Sequence, residues 1–158
     1  MNHRREAGRP GGPGPRPGQN PPRQDPAVYG ESRAAVLQVE KLRDVDADVL
    51  VRHADKIGED LKAKVKHAQL RHMLDEVNRI RLDRRKASDK SEETLLTRIK
   101  LLKPRFAYLA GRETNLRPLY NVLSAMIDRT KGAEDFDRLA EFVQAVVAYH
   151  KFHGGSDR

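Results

Sequence analysis

Arginine and lysine carry the densest chemistry in this 158-residue chain. Leu101 to Pro118, LLKPRFAYLAGRETNLRP, sets Lys103, Arg105, Arg112 and Arg117 among apolar residues, against one acid, Glu113. A second group, Arg79, Arg81, Arg84, Arg85 and Lys86, closes the preceding segment. Arg71 stands upstream of it and Lys151 near the end of the chain. Guanidinium forks bind phosphate oxygens in pairs, and each neutralised phosphate releases condensed counterions. Such residues give a salt-dependent, sequence-independent affinity for a polyanion. Over residues 62–117 sixteen cations face seven acids, a net +9, whereas 34–61 is net −3 and 118–158 net −1. The formal charge of +8 is thus concentrated in the middle of the chain, a distribution that fits a nucleic acid partner.

Other chemistries lack their residues. There is no cysteine, hence no disulfide, thiolate metal site or cysteine nucleophile. His150 and His153 lie three apart, which suits one helical face, with His67 and His72 further upstream. Zinc needs three or four convergent ligands, and no HExxH is present, so no metal and no cofactor is expected. No GxxxxGK[ST] loop exists for nucleotide phosphates. Asp135 and Asp137 precede an apolar run and read as N-terminal helix charges. The serines lack a nucleophile elbow, and the remaining acids are too dispersed for a two-metal nuclease. Binding is the expected activity, and catalysis is not. Phe106 and Tyr108, the aromatics among the cations, keep the apolar phase and read as core, which favours backbone contact over base stacking.

The elements that must position these cations are helices. Residues 1–30 hold seven of the nine prolines and read as a disordered Pro/Gly/Arg-rich tail. Its Arg4, Arg5, Arg9, Arg16 and Arg23 can touch nucleic acid only loosely. Residues 31–158 form one helical domain. A short helix is predicted over 32–43 with Ser32 as N-cap, and a second over about 47–62 capped by Asp46. Leu70, Met73, Leu74, Val77 and Ile80 give a third over 68–86. A fourth begins near Ser91, with a kink or short break at Pro104 and an end at Gly111. Two more cover about 116–130 and 134–152. No stretch alternates as a strand does. The fold class is all-α, a compact bundle of about five to six helices. No signal peptide or run of about 18 apolar residues is visible, so a cytoplasmic location without membrane contact is expected.

Three blocks carry a resemblance. QLRHMLDEVNRIR (Gln69 to Arg81), LLKPRFAYLAGRE (Leu101 to Glu113) and FVQAVVAYHKFHGG (Phe142 to Gly155) resemble, in order and spacing, the small subunit of type III-A CRISPR–Cas effector complexes. The blocks and their spacing cover about 65–155. That family often has Thr or Ser just before QLR. Here His67 and Ala68 stand there, which leaves the helix cap open. The resemblance implies a non-enzymatic, all-helical protein. Several copies would stack on one another along the guide-RNA filament, beside the backbone and large subunits, near the groove where target RNA pairs with guide RNA. Carried over by motif, Arg71, Lys103, Arg105, Arg112 and Lys151 are candidates for RNA or inter-subunit contact. Arg79, Arg81, Arg84, Arg85 and Lys86 form a secondary basic cluster.

Overall fold

The computed structural model describes residues 11–12, 25–88 and 90–157. The tail arginines Arg4, Arg5, Arg9, Arg16 and Arg23 lie outside the described residues. Among those residues the chain forms seven α-helices: α1 Ala27–Leu37, α2 Ala47–Leu61, α3 His67–Lys86, α4 Glu92–Lys100, α5 Leu102–Arg112, α6 Arg117–Asp128 and α7 Ala133–Phe152. Short 3-10 turns occupy Leu42–Asp44 and Thr114–Leu116, and no strand is present among the described residues. None of these helices is long and apolar enough to cross a membrane.

α7 is the central helix. It buries Phe136, Leu139, Phe142, Val143, Val146, Val147 and His150 along one broad face, while Glu134, Asp137, Glu141, Gln144 and Ala148 stay exposed on the other. An apolar face of that width and length has room for more than one neighbouring helix. α2 and α3 pack along it, α1 lies on α6, and α5 joins α3 to α6. Gly58 permits the tightest of these approaches. A Cβ there would stand 2.6 Å from the His150 backbone nitrogen and 2.8 Å from the Tyr149 carbonyl carbon.

Three boundaries differ from the sequence expectation. The first helix starts at Ala27 and ends at Leu37, with Pro26 as its N-cap residue. Ser32 is buried inside it and caps nothing. Tyr29, inside the stretch read as tail, is buried and donates to Asp60 Oδ2 at 2.7 Å. Burial, with that carboxylate beside it, pushes the phenol pKa well above its ordinary value. Tertiary packing of Val28, Tyr29 and Val36 thus overrides the local signal of Pro26 and Gly30. The fourth predicted helix is two: α4 ends at Lys100, Leu101 makes the break, and Pro104 sits in the first turn of α5, where proline's missing N–H is harmless. Gly111 is not the end, because α5 runs on through Arg112 to a cap at Glu113. The expected Asp46 cap is present, its side chain accepting from Asp48 N–H at 2.8 Å, and α4 starts next to Ser91 as expected, with Ser91 Oγ accepting from Thr94 N–H at 3.3 Å.

Candidate nucleic-acid interface

The first and third blocks, and the end of the second, meet at one end of the bundle. Gln69 reaches back to accept from Lys66 N–H at 3.0 Å, the glutamine half of a capping box, while the N-cap residue Lys66 offers no side-chain acceptor of the kind Thr or Ser would give. Its amide also donates to Glu113 at 3.4 Å, the last residue of the second block. Glu113 in turn accepts from Asn115 N–H at 3.2 Å, and Asn115 Nδ2 donates to the Lys64 carbonyl at 3.3 Å. His150 is fully buried, with Nε2 at 2.8 Å from the Val65 carbonyl and Nδ1 at 3.3 Å from His67 Nδ1. A carbonyl only accepts, so Nε2 carries the His150 proton and Nδ1 is left to accept from His67. Burial, then the neighbouring His150, lowers the His67 pKa. The chain then turns through Gly154, at a φ of 101° that favours glycine, and lays Gly155 on the His150 ring.

The histidine pair at 150 and 153 is separated by this geometry. His150 points into the core, whereas His153, just past the end of α7, is bonded to Asp55 on α2. The two do not converge. Among the described residues no three metal-ligating side chains gather at one point.

The cations form two surfaces on α3. At its C-terminal end Arg81, Arg84 and Arg85 line a cleft with Lys90, floored by buried Phe136 and edged by Asp137. Lys86 is exposed beside it, in the last turn, where cations complement the helix dipole. Lys90 was not singled out in the sequence, because it lies beyond the helical pattern. None of Arg81, Arg84, Arg85 and Lys86 has an ion-pair partner among the described residues. Next to Phe136 and Asp137 in sequence, Asp135 anchors the start of α7. Its carboxylate is fully buried and accepts from Arg43 N–H at 2.8 Å, Arg43 Nε at 3.0 Å and Lys131 N–H at 2.8 Å. Burial pushes the Asp135 pKa up, but these bonds more than offset it and hold the carboxyl below its ordinary range. Asp135 is therefore a structural anchor across the fold, which helix position alone does not reveal.

The second surface is the groove between α3 and α5, which run antiparallel. It is lined by His72, Asp75, Glu76 and Arg79 from one side and Pro104, Arg105, Tyr108, Leu109 and Arg112 from the other. Glu76 holds Arg105 at 2.8 Å and Arg79 at 3.6 Å. Phe106 is buried as expected, but Tyr108 is not core: it is 64% exposed, with the Arg112 guanidinium 5.9 Å over its ring. In a helix that starts at Leu102, position 108 falls on the side opposite Phe106, and that phase is the signal that finds it.

The five motif candidates thus separate. Arg105 and Arg112 share the groove with Arg79. Lys103 turns to α6 and pairs with Asp128. Arg71 and Lys151 lie at the other end, close enough to His67 to depress its pKa, and Lys151 is 3.6 Å from Asp157.

Comparison with known proteins accords with this arrangement. A family model described as Csm2 Type III-A matches residues 44–156, nearly the whole bundle. The chain belongs to the Csm2 type III-A family. A relative from Streptococcus thermophilus, described as "CRISPR system Cms protein Csm2", is 31% identical over 75 residues, 46% of this chain and 61% of that protein. The similarity spans less than two thirds of that relative's length. No solved structure matches the chain significantly. Family membership agrees with the resemblance drawn from the three blocks and with the all-α architecture. The family match starts at Asp44 and leaves out α1, which nevertheless packs on α6 and α2 as part of the same fold.

Proposed function

We propose that this chain is a non-catalytic structural small subunit of a type III-A CRISPR RNA-guided interference complex. In this reading several copies stack along the filament, beside the backbone and large subunits, and contact guide and target RNA through a basic surface. Membership in the Csm2 type III-A family supports the first part. The observation that carries the second is the cleft of Arg81, Arg84, Arg85 and Lys90, edged by a single acid among the described residues. Guanidiniums clustered in excess over carboxylates repel one another and are stabilised by a phosphate chain. Arg71 and Lys151, at the opposite end, and Lys103, on the α6 side, are then candidates for contact with neighbouring subunits.

The test is fluorescence anisotropy of labelled single-stranded RNA against the full chain, over a range of salt. Affinity should fall linearly on a log–log plot, with a slope near −0.7 for each phosphate neutralised, so about −3 for four contacts. Co-expression with the other subunits of a type III-A complex should recover the chain in the assembly. Absence of RNA binding at low salt together with failure to co-assemble would sink the reading.

A further inference from the structure

The α3/α5 groove offers more than charge. The chain has few aromatics, and most are buried or half-buried: Phe106, Phe136, Phe142 and Tyr29 are in the core. Tyr108 and Phe152 stand out in solvent. Phe152 leans on Tyr149 and His153, with no cation over it among the described residues. Tyr108 is different. Arg112 lies over its ring, and Arg79 and Arg105 line the same groove, both held by Glu76. The guanidinium over the ring is within the range of a cation–π contact, which orients both groups. A ring so placed presents a π-face to a flat partner, while the surrounding forks suit phosphate.

That pairing of an open ring with oriented guanidiniums matches the two halves of a nucleotide. In a duplex the bases are already stacked on one another and closed to a side chain. In an unpaired strand they are free to stack on an aromatic residue. We infer that the Tyr108–Arg112 pair is a stacking platform for one unpaired RNA base, with Arg79 and Arg105 on the adjoining phosphates. This inference rests on the RNA-binding reading above and assigns it a base contact in place of the pure backbone contact that the sequence favours.

The test compares two labelled RNA strands of equal length and charge, one with bases and one abasic through its central residues. Both are titrated with the full chain at one salt concentration. The wild type should prefer the base-bearing strand. Tyr108→Ala should weaken that strand about 5- to 10-fold, the low end of a stacking contact, and leave the abasic strand unchanged. Tyr108→Phe keeps the ring and should retain the preference. Tyr108 is exposed, so both variants should fold, which a thermal melt checks. Equal loss on both strands, or no loss on either, overturns the platform while leaving RNA binding intact. Wild type that binds neither strand overturns the RNA-binding reading and the platform with it.

Discussion

Two ends of this bundle treat their polar residues in opposite ways. At the junction of α2, α3 and α7, His150, His67, Gln69, Glu113 and Asn115 are tied to one another and to backbone groups. At the far end of α3, Arg81, Arg84 and Arg85 line an open cleft and have no ion-pair partner among the described residues. The first arrangement is what folding requires, since a buried polar group left unpaired is costly. The second sets like charges side by side, and the helix dipole offsets only part of their repulsion at Arg84 and Arg85. The difference teaches that the most recognisable motif, the AYHK block with its glycine pair, secures the fold. The open cations of α3 lie at and beyond the end of the first block, away from that junction.

That contrast can be broken or sharpened by substitution. The largest effect should come from Asp135→Ala, which leaves Arg43 and two backbone N–H groups without their acceptor. We expect a loss of about 3 kcal/mol in urea unfolding, the size of a broken buried pair. The Asp135 carboxyl is held below its ordinary pKa, so its contribution is complete above the usual carboxylate range. It is lost as pH falls through the lowered folded value. Asp135→Asn should therefore flatten the acid limb of a stability–pH profile; a limb as steep as that of wild type would show that another group controls it.

Gly58→Ala should follow, at about 2 kcal/mol, because the new methyl meets the α7 backbone, which cannot rotate away, and only part of this is offset by better helix propensity. A thermal melt that does not drop would disprove the close approach of α2 to α7. The triple substitution of Arg81, Arg84 and Arg85 by alanine should do the reverse of these two. Stability should change by less than about 1 kcal/mol, mostly through the helix dipole, whereas the salt slope of RNA binding should flatten by about 2. A slope equal to that of wild type would move the RNA contact elsewhere. The smallest effect is expected for Lys103→Ala. Its pair with Asp128 is partly exposed, and such pairs contribute about 0.5 kcal/mol or less. A larger drop in unfolding free energy would mean that the α5–α6 contact depends on that pair.

Much of this was legible in the chain. Helical spacing of apolar residues locates α2, α3, α6 and α7 to within a residue or two, because a buried stripe has to recur at 3.6 residues whatever it packs against. The cap at Asp46 is local chemistry and could be read directly. What failed depended on partners distant in sequence. α1 extends back over Gly30 to Ala27 because Val28 and Tyr29 find α6, α2 and Asp60. Asp135 reads as a surface charge until Arg43, 92 residues away, is beside it. Tyr108 reads as core because it is an aromatic in an apolar block, yet it lies two residues past Phe106, about 200° around the helix, and faces out.

The residues alone therefore determined the fold class, the basic middle of the chain and the three blocks that mark its family, since periodicity, composition and motif spacing are properties of the chain itself. Only the tertiary structure decided which cations share a surface. An ion pair such as Arg105 with Glu76, or Lys103 with Asp128, forms between helices, and helical phase then determines which guanidiniums stay open to a partner.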